Sequence, residues 1–221
     1  MTTVLVIGAS RGIGRGLVQA CVARGDRVIA TVRQREDVDA LRAEGAEVWV
    51  VDVANPASAS GLAWQLDGEE IDQAWYVAGV WDAATAASPP TQPQFDHVMH
   101  TNVLGAMQVL PQVMPCVAAT GGTMVCISSA MSRCETAESR AWLYSASKAA
   151  LNMVVACAQD QWRNATVIAM DPGWVQTAMG GADAPISVAA SVQGMLQTVE
   201  ALQPQDRGRF LRYDGHRWSE G

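Results

Sequence analysis

Six short runs rich in apolar and β-branched residues recur along the chain, at residues 4–7, 28–32, 48–51, 74–77, 123–127 and 166–169. Helix-length segments lie between them. This alternation constrains the fold more than any other feature. A run such as Val4-Leu5-Val6-Ile7 has no polar face to offer water, so it belongs in a strand covered on both sides. The intervening segments, 13–24, 36–43, 56–66, 94–113, 144–162 and 187–201, supply the crossover helices that parallel strands require. The expected fold is α/β: a doubly wound parallel sheet of about seven strands with helices on both faces. The 221 residues, 49% of them hydrophobic, suffice for one substantial core. The proline-containing stretch 87–93 is only a loop's length, so residues 1–221 are expected to form a single domain.

Charge and cysteine content narrow the partners. Fifteen basic against 22 acidic residues give a net charge of −7, with no basic stripe, which argues against nucleic acid or an anionic membrane as partner. No uninterrupted apolar run approaches the ~20 residues of a membrane span. Residues 1–7 lack a basic leader and are cut by Gly8, so they read as a first strand rather than a signal peptide. A cytoplasmic location is expected. The five cysteines, Cys21, Cys116, Cys126, Cys134 and Cys157, are odd in number and contain no Cys-x-x-Cys pair. Free thiols are expected, with no metal site. Residues 149–158 are apolar almost all round, as in a fully buried helix. The outer face of that helix is expected to meet another copy of the chain in a homodimer or homotetramer.

Immediately after the first strand comes Gly8-Ala9-Ser10-Arg11-Gly12-Ile13-Gly14, leading into a helical pattern. Glycines at this junction let the backbone pass close to a pyrophosphate, whose charge is favoured by the free N–H groups and positive end of the helix. At the end of the second strand, where a carboxylate would hold the ribose hydroxyls of NAD, the chain has Arg33, with Arg11 in the glycine turn. Two guanidinium groups suit a 2′-phosphate, so the expected cofactor is NADP(H). Asp52 and Val53, at the third strand's end, are placed to meet the adenine edge; an Asp there is also an ordinary turn residue. Farther on, Tyr144 and Lys148 stand four apart, on one helix face. A phenol titrates near pH ~10, and a neighbouring cation favours its ionised form, so the pair can exchange a proton.

Gly8-x-x-x-Gly12-x-Gly14, Asp52, Asn102 within Thr101-Asn102-Val103-Leu104-Gly105, Ile127-Ser128-Ser129, Tyr144-x-x-x-Lys148 and Pro172-Gly173 occur in one order. Together they strongly resemble the short-chain dehydrogenase/reductase family across nearly the whole chain. The resemblance implies a Rossmann-type fold and hydride transfer between a nicotinamide and a small-molecule carbonyl or secondary alcohol. It implies Tyr144 as general acid or base, Ser129 as hydrogen-bond donor to the substrate oxygen, and Lys148 as the group that lowers the Tyr144 pKa and contacts the nicotinamide ribose. Asn102 would help hold a water in the proton relay. Ala78, Gly79, Pro172, Gly173, Val175 and Thr177 would complete the cofactor site.

Three departures from the family pattern stand out. Tyr76-Val77-Ala78-Gly79 replaces the usual Asn-Asn-Ala-Gly, removing polar side chains that tie down the sheet. The Ser129-to-Tyr144 interval is longer than usual, with a polar insertion from Arg133 to Arg140, which makes Ser128 an alternative donor. Ile7 stands where a threonine usually precedes the first glycine, at the expected loss of a local hydrogen bond. The stretch Asp171-Pro172-Gly173-Trp174-Val175-Gln176-Thr177-Ala178-Met179-Gly180-Gly181 resembles the C-factor/sniffer-like carbonyl reductases and leaves room for only a short lid. Trp81, Met131, Trp142, Trp174 and Met179 flank the motifs, which points to an apolar or aromatic ketone or aldehyde. The other reading is an NADP(H)-binding signalling or sensor protein with little turnover.

Overall fold

A computed structural model of the chain describes residues 1–218. All six apolar runs form strands: β1 (Thr3–Ile7), β2 (Arg27–Val32), β3 (Glu47–Val50), β4 (Gln73–Tyr76), β5 (Thr123–Ile127) and β6 (Thr166–Asp171). The seventh, β7 (Phe210–Arg212), adds an edge of three residues. Every pairing is parallel and the order is β3-β2-β1-β4-β5-β6-β7. The chain builds outward from β1 to β3, then returns to place β4 on the other side of β1. Ligand crevices form at such reversals, at the carboxyl ends of the strands.

The two-residue period of the strands sends alternate side chains to opposite layers. On one face Val4, Val6, Trp75, Val125 and Ile168 pack against α1 (Gly12–Ala23), α2 (Val38–Ala43) and α8 (Val188–Glu200) through Leu17, Leu41 and Met195. On the other, Leu5, Ile7, Tyr76, Met124 and Val167 meet α4 (Leu62–Gln65), α6 (Gly105–Thr120) and α7 (Trp142–Gln161) through Leu62, Val113, Met114 and Leu151.

Two helical segments depart from expectation. Residues 56–66 form two short helices, α3 (Pro56–Ala59) and α4, because Ser60-Gly61 interrupts them. Asn55 caps the first by accepting from the Ala57 N–H. The segment expected at 94–113 is longer at both ends. It begins at α5 (Gln92–Met99) behind a Thr91/Gln94 capping box, passes through a π-helical turn (His100–Leu104), and continues as α6 to Gly121, whose φ of 68° closes it. This 29-residue run is long and apolar enough to cross a bilayer by length and composition alone. In the fold its residues Val109, Leu110, Val113, Met114 and Val117 are buried against the sheet. In α7 the expected burial on all sides is not met within one chain, since Met153, Ala156 and Cys157 face outward.

Two expected losses of polar contacts are made good by other residues. The Tyr76 hydroxyl crosses from β4 to donate to the Thr101 carbonyl at 2.7 Å, fully buried, and so ties the central sheet to the π-helical turn. Thr31 of β2 lends its hydroxyl oxygen to the Gly8 N–H at 3.2 Å, beside the bond that N–H makes to the Thr31 carbonyl. Replacing Tyr76 by Phe removes one buried hydrogen bond and leaves a carbonyl facing apolar surroundings. Tyr76→Phe is expected to lower stability by about 1–3 kcal/mol, read by urea unfolding. A change below the error of that measurement would mean that the carbonyl finds another partner.

Candidate functional site

The glycine turn, the Ala78-Gly79 turn, the Ser128-Ser129 strand end and the Pro172-Gly173 turn all converge at the carboxyl ends of β1, β4, β5 and β6. The close approach of the first two requires glycine. A Cβ on Gly8, whose φ is 91°, would lie 2.7 Å from the Ala78 nitrogen, and one on Gly14 would lie 2.2 Å from the Gly8 carbonyl oxygen. Arg11 is the N-cap of α1 without a side-chain cap bond, and no acidic residue occupies the first turn. The amino end of this helix therefore keeps N–H groups available to an anion. Ser10 lies half-buried in the same turn, and Ile13 packs its side chain on the core. Thr177 closes over this turn: its methyl group is 3.2 Å from where a Gly12 Cβ would be. Val175 is buried and bridges to Ile186, and the Pro172 carbonyl accepts from the Ser191 hydroxyl of α8 at 2.7 Å, which fixes the start of the short lid.

At the nucleotide end, Arg11 and Arg33 are both exposed, and neither forms an ion pair among the described residues. Asp52 is half-buried and uses one carboxylate oxygen to accept from the Ala54 N–H at 3.0 Å, leaving the other side of the carboxylate uncommitted to that turn. Val53 is buried in the core. A bound dinucleotide fits these residues: the glycine cradle and uncapped helix end suit a pyrophosphate, and the two unpaired arginines suit a further phosphate.

The catalytic candidates come from three elements. Asn102 is fully buried in the π-helical turn, where an irregular backbone turns a side chain inward that a regular helix would place elsewhere. Its amide accepts from the Val80 N–H at 2.8 Å and donates to the Val80 carbonyl at 3.0 Å and the Ser147 hydroxyl at 2.9 Å. Ser147 in turn donates to the Tyr144 carbonyl at 2.7 Å. Lys148 is buried and donates to the Ile127 carbonyl at 2.7 Å. The space above Gly79 separates Asn102 from Lys148, since a Cβ there would be 3.4 Å from both the Asn102 Oδ1 and the Lys148 Nζ.

Of the two serines, Ser129 is the one whose hydroxyl favours ionisation of the Tyr144 phenol, and its oxygen accepts from the Met131 N–H at 3.2 Å. Ser128 is buried and committed elsewhere, donating to the Asn152 Oδ1 at 2.6 Å. Asn152 then donates to Ser132 at 2.9 Å, so Ser128 and Asn152 brace the loop that carries Ser129.

The expected depression of the Tyr144 pKa by Lys148 is not found. Burial pushes the Tyr144 phenol up to about 12; the Ser129 hydroxyl opposes this and the charge of Asp171 adds to it. Lys148 Nζ lies 5.7 Å from the centre of the phenol ring. Burial also pushes Lys148 down to about 8, against the opposing influence of Cys126. Desolvation thus moves both groups toward neutrality, and it outweighs their mutual attraction.

The structure gives specific contacts to residues that the sequence showed only as flanking the motifs. Trp81 packs on Tyr144 with ring centres 4.7 Å apart. Its loop is strapped to the inserted segment by Ala86 N–H to the Ser139 carbonyl, 2.9 Å, and Trp142 N–H to the Ala84 carbonyl, 3.3 Å. The insertion ends at Ala141, a buried alanine held at φ 51°, ψ 36° as N-cap of α7. A left-handed non-glycine residue three positions before Tyr144 is local strain at the site. Arg133, at the start of the insertion, stacks over Trp218 at 4.2 Å. A cavity of about 200 Å³ opens beside this wall, lined by Ala130, Met131, Thr136, Glu138, Arg140 and Ser145. Arg140 is paired there with Glu138 at 2.6 Å. Asp171, buried at the end of β6, had only the spacing of a motif neighbour to show for itself in the sequence.

Comparison with known proteins agrees with this geometry. The short chain dehydrogenase family model matches residues 2–185. The C-signal protein of Myxococcus xanthus is 36% identical over 120 residues, covering 52% of this chain and 71% of that protein. The carbonyl reductase Sniffer of D. melanogaster superposes with a TM-score of 0.91 at 22% identity over the full length of both chains. A short-chain dehydrogenase/reductase from Burkholderia multivorans with bound NADP gives 0.86 at 28% identity, covering 98% of this chain and 99% of that one.

The lowered Lys148 pKa has a measurable linkage. Between about 8 and the ordinary 10.5 of an unfolded lysine, the unfolded chain holds the proton and the folded one does not, so stability rises with pH across that window. Below it the folded state carries the cost of a buried charge, on the order of 3 kcal/mol. In Lys148→Met this contribution disappears. Denaturant unfolding from pH 7 to 10 is expected to show wild type gaining on the variant as pH rises; parallel profiles would refute the assignment.

Proposed function

Because the chain belongs to the short-chain dehydrogenase/reductase family and resembles its sniffer/C-factor-like group, we propose that it is a cytoplasmic NADP(H)-dependent oxidoreductase reducing an apolar or aromatic ketone or aldehyde. The observation that carries this reading is the assembled cluster of Tyr144, Ser129, Lys148 and Asn102 beside an uncapped glycine turn. NADPH, when bound, supplies the hydride; the chain's own groups handle the oxygen and the proton. The Ser129 hydroxyl and the Tyr144 phenol, which act on each other at the site, form a two-donor cradle for a carbonyl oxygen. As the oxygen gains negative charge, the proton on the Tyr144 hydroxyl passes to it and completes the alcohol. A phenol pushed up to about 12 is protonated at neutral pH, which supports the reductive direction. Lys148, pushed down to about 8, exchanges protons near neutral pH and can restore that of Tyr144 through the space over Gly79.

Trp81 over Tyr144, with the exposed faces of Trp142 and Trp174 and the nearby Met179, supports a flat apolar substrate. Arg33 and Arg11 support NADPH over NADH, as does the bound NADP of the Burkholderia multivorans relative. The outward Met153 and Cys157 of α7, with Met107 of α6, support a contact between copies of the chain. A signalling role with little turnover draws on the name of the C-signal relative; the complete cluster favours turnover.

Oxidation of NADPH across a panel of ketones, aldehydes and quinones, isatin among them, decides between these readings. Wild type is expected to turn over, with Tyr144→Phe losing roughly 10²–10⁴-fold in kcat while NADPH affinity is kept. Arg33→Asp should shift the kcat/KM ratio toward NADH by about tenfold. Tight NADPH binding without turnover on any substrate would favour the sensor. Light scattering is expected to report a dimer or tetramer, and a 23.5 kDa species alone would exclude self-association.

A further inference from the structure

Residues 174–186 connect the Pro172-Gly173 turn to α8, and hydrogen bonds between their own residues shape them into the lid. The two ends are zipped together. The Gln176 N–H donates to the Ile186 carbonyl at 2.8 Å, the Ile186 N–H to the Trp174 carbonyl at 3.3 Å, and the Gln176 side-chain amide to the Ala184 carbonyl at 2.9 Å. The middle folds on Thr177, whose hydroxyl oxygen accepts from the Gly180 N–H at 3.0 Å and whose carbonyl accepts from the Gly181 N–H at 2.9 Å. One side chain closes the fold: the Trp174 indole N–H donates to the Gly180 carbonyl at 2.7 Å. Gly180 permits this approach by its size. Its φ is not positive, yet a Cβ on it would lie 2.1 Å from the Val175 carbonyl oxygen and 3.4 Å from the Trp174 Cδ1.

We propose that Trp174 is a positioning residue: its indole N–H, bonded to Gly180, locks residues 174–181 in the lid shape and so keeps Thr177 over the glycine turn. The inference rests on the NADP(H) reading, because Thr177 is where the lid meets the cradle for the dinucleotide, its methyl group 3.2 Å from the Cβ position of Gly12. Trp174 is 58% exposed, so core packing does not fix its ring; the bond to Gly180 does. Indole suits the task because it joins a flat apolar body to a single N–H donor with no competing acceptor. The face of the ring remains free to meet an apolar substrate while its N–H edge holds the lid. Gly180 and Thr177 carry the constraint onward, since the residue that accepts from Trp174 through its carbonyl donates to Thr177 through its N–H. A lid shaped by its own bonds loses less freedom on meeting a nucleotide than a loose loop would, and that difference appears in how long the nucleotide stays bound.

Hydrogen–deuterium exchange, NADPH dissociation and isatin kinetics on Trp174→Phe and Gly180→Ala test this. Trp174→Phe removes the N–H and keeps an apolar ring, so it separates the lock from any contact with substrate. In the free protein, exchange is expected to accelerate at residues 176–181, where the Gln176, Gly180 and Gly181 N–H groups report the fold of the lid, while β6 and α8 keep wild-type protection. NADPH should dissociate about three- to tenfold faster, and its KM should rise by a similar factor with kcat for isatin changed by less. Gly180→Ala, which drives a methyl group into the Val175 carbonyl, should give the same pattern by an independent route, and it carries the test if the tryptophan variant does not fold. Wild-type exchange at 176–181 in Trp174→Phe would overturn the lock, as would a loosened lid with wild-type NADPH dissociation. Failure of the wild type to bind either NADPH or NADH would count against the oxidoreductase reading alone, and exchange at 176–181 would still decide the lock.

Discussion

The site depends on one close approach, that of the turn after β1 to the turn after β4. The sheet reverses its order there, so the two turns diverge from adjacent strand ends and leave a crevice between them. How narrow that crevice can be is set by Gly8 and Gly14. Any Cβ on Gly8 would collide with the Ala78 backbone, and one on Gly14 would collide with the Gly8 carbonyl. With these two positions filled only by hydrogen, α1 starts directly against the sheet and points its free N–H groups into the crevice. The cofactor cradle and the placement of Ala78-Gly79 near Lys148 and Asn102 follow from that single contact.

Around this crevice the molecule holds polar groups in an apolar interior, at a cost that hydrogen bonds only partly offset. Asn102 satisfies its amide through Val80 and Ser147. Ser128, Asn152 and Ser132 form a second chain of bonds. Tyr144 and Lys148 are less fully compensated, and both move toward their neutral forms. The opposite shifts suit a protonated donor beside a base of near-neutral pKa. They arise from desolvation by the surrounding fold, including Trp81, and not from the attraction between the two side chains.

The layered fold was legible because its signal is local: strands inside the sheet must be apolar at nearly every position, and even the edge strand β3, exposed at Glu47 and Val50, carries an apolar run. β7 was not picked out individually, since of its three residues only Leu211 is buried. The π-helical turn was invisible because His100-Thr101-Asn102-Val103-Leu104 continues an ordinary helical pattern, and the groups that bond it, the Tyr76 hydroxyl and the Val80 N–H, lie more than twenty residues away. Motif spacing brought Tyr144 and Lys148 to one helix face, where the structure also places them. Spacing carries no information about solvent, so the direction of the Tyr144 shift could not be read from it. Asp171 was hidden for a related reason: its hydrogen-bond partner is the backbone N–H of Gly173, which no side-chain pattern advertises.

The longer interval before Tyr144 looks in the sequence like a threat to the serine-tyrosine geometry. In the structure the added length walls the cavity lined by Met131, Thr136, Glu138, Arg140 and Ser145. The insertion is held at its start by Arg133 on Trp218 and at its end by backbone bonds to the 84–86 loop. With both ends fixed, the excess chain must be absorbed before α7 begins, and Ala141 absorbs it in a left-handed conformation that an alanine adopts only at a cost of order 1 kcal/mol. The same straps draw the loop bearing Trp81 over the Tyr144 ring. The Tyr144 surroundings and the cavity wall are therefore mechanically coupled. A change that relaxes Ala141 releases strain, but it also frees the segment that keeps water off the phenol.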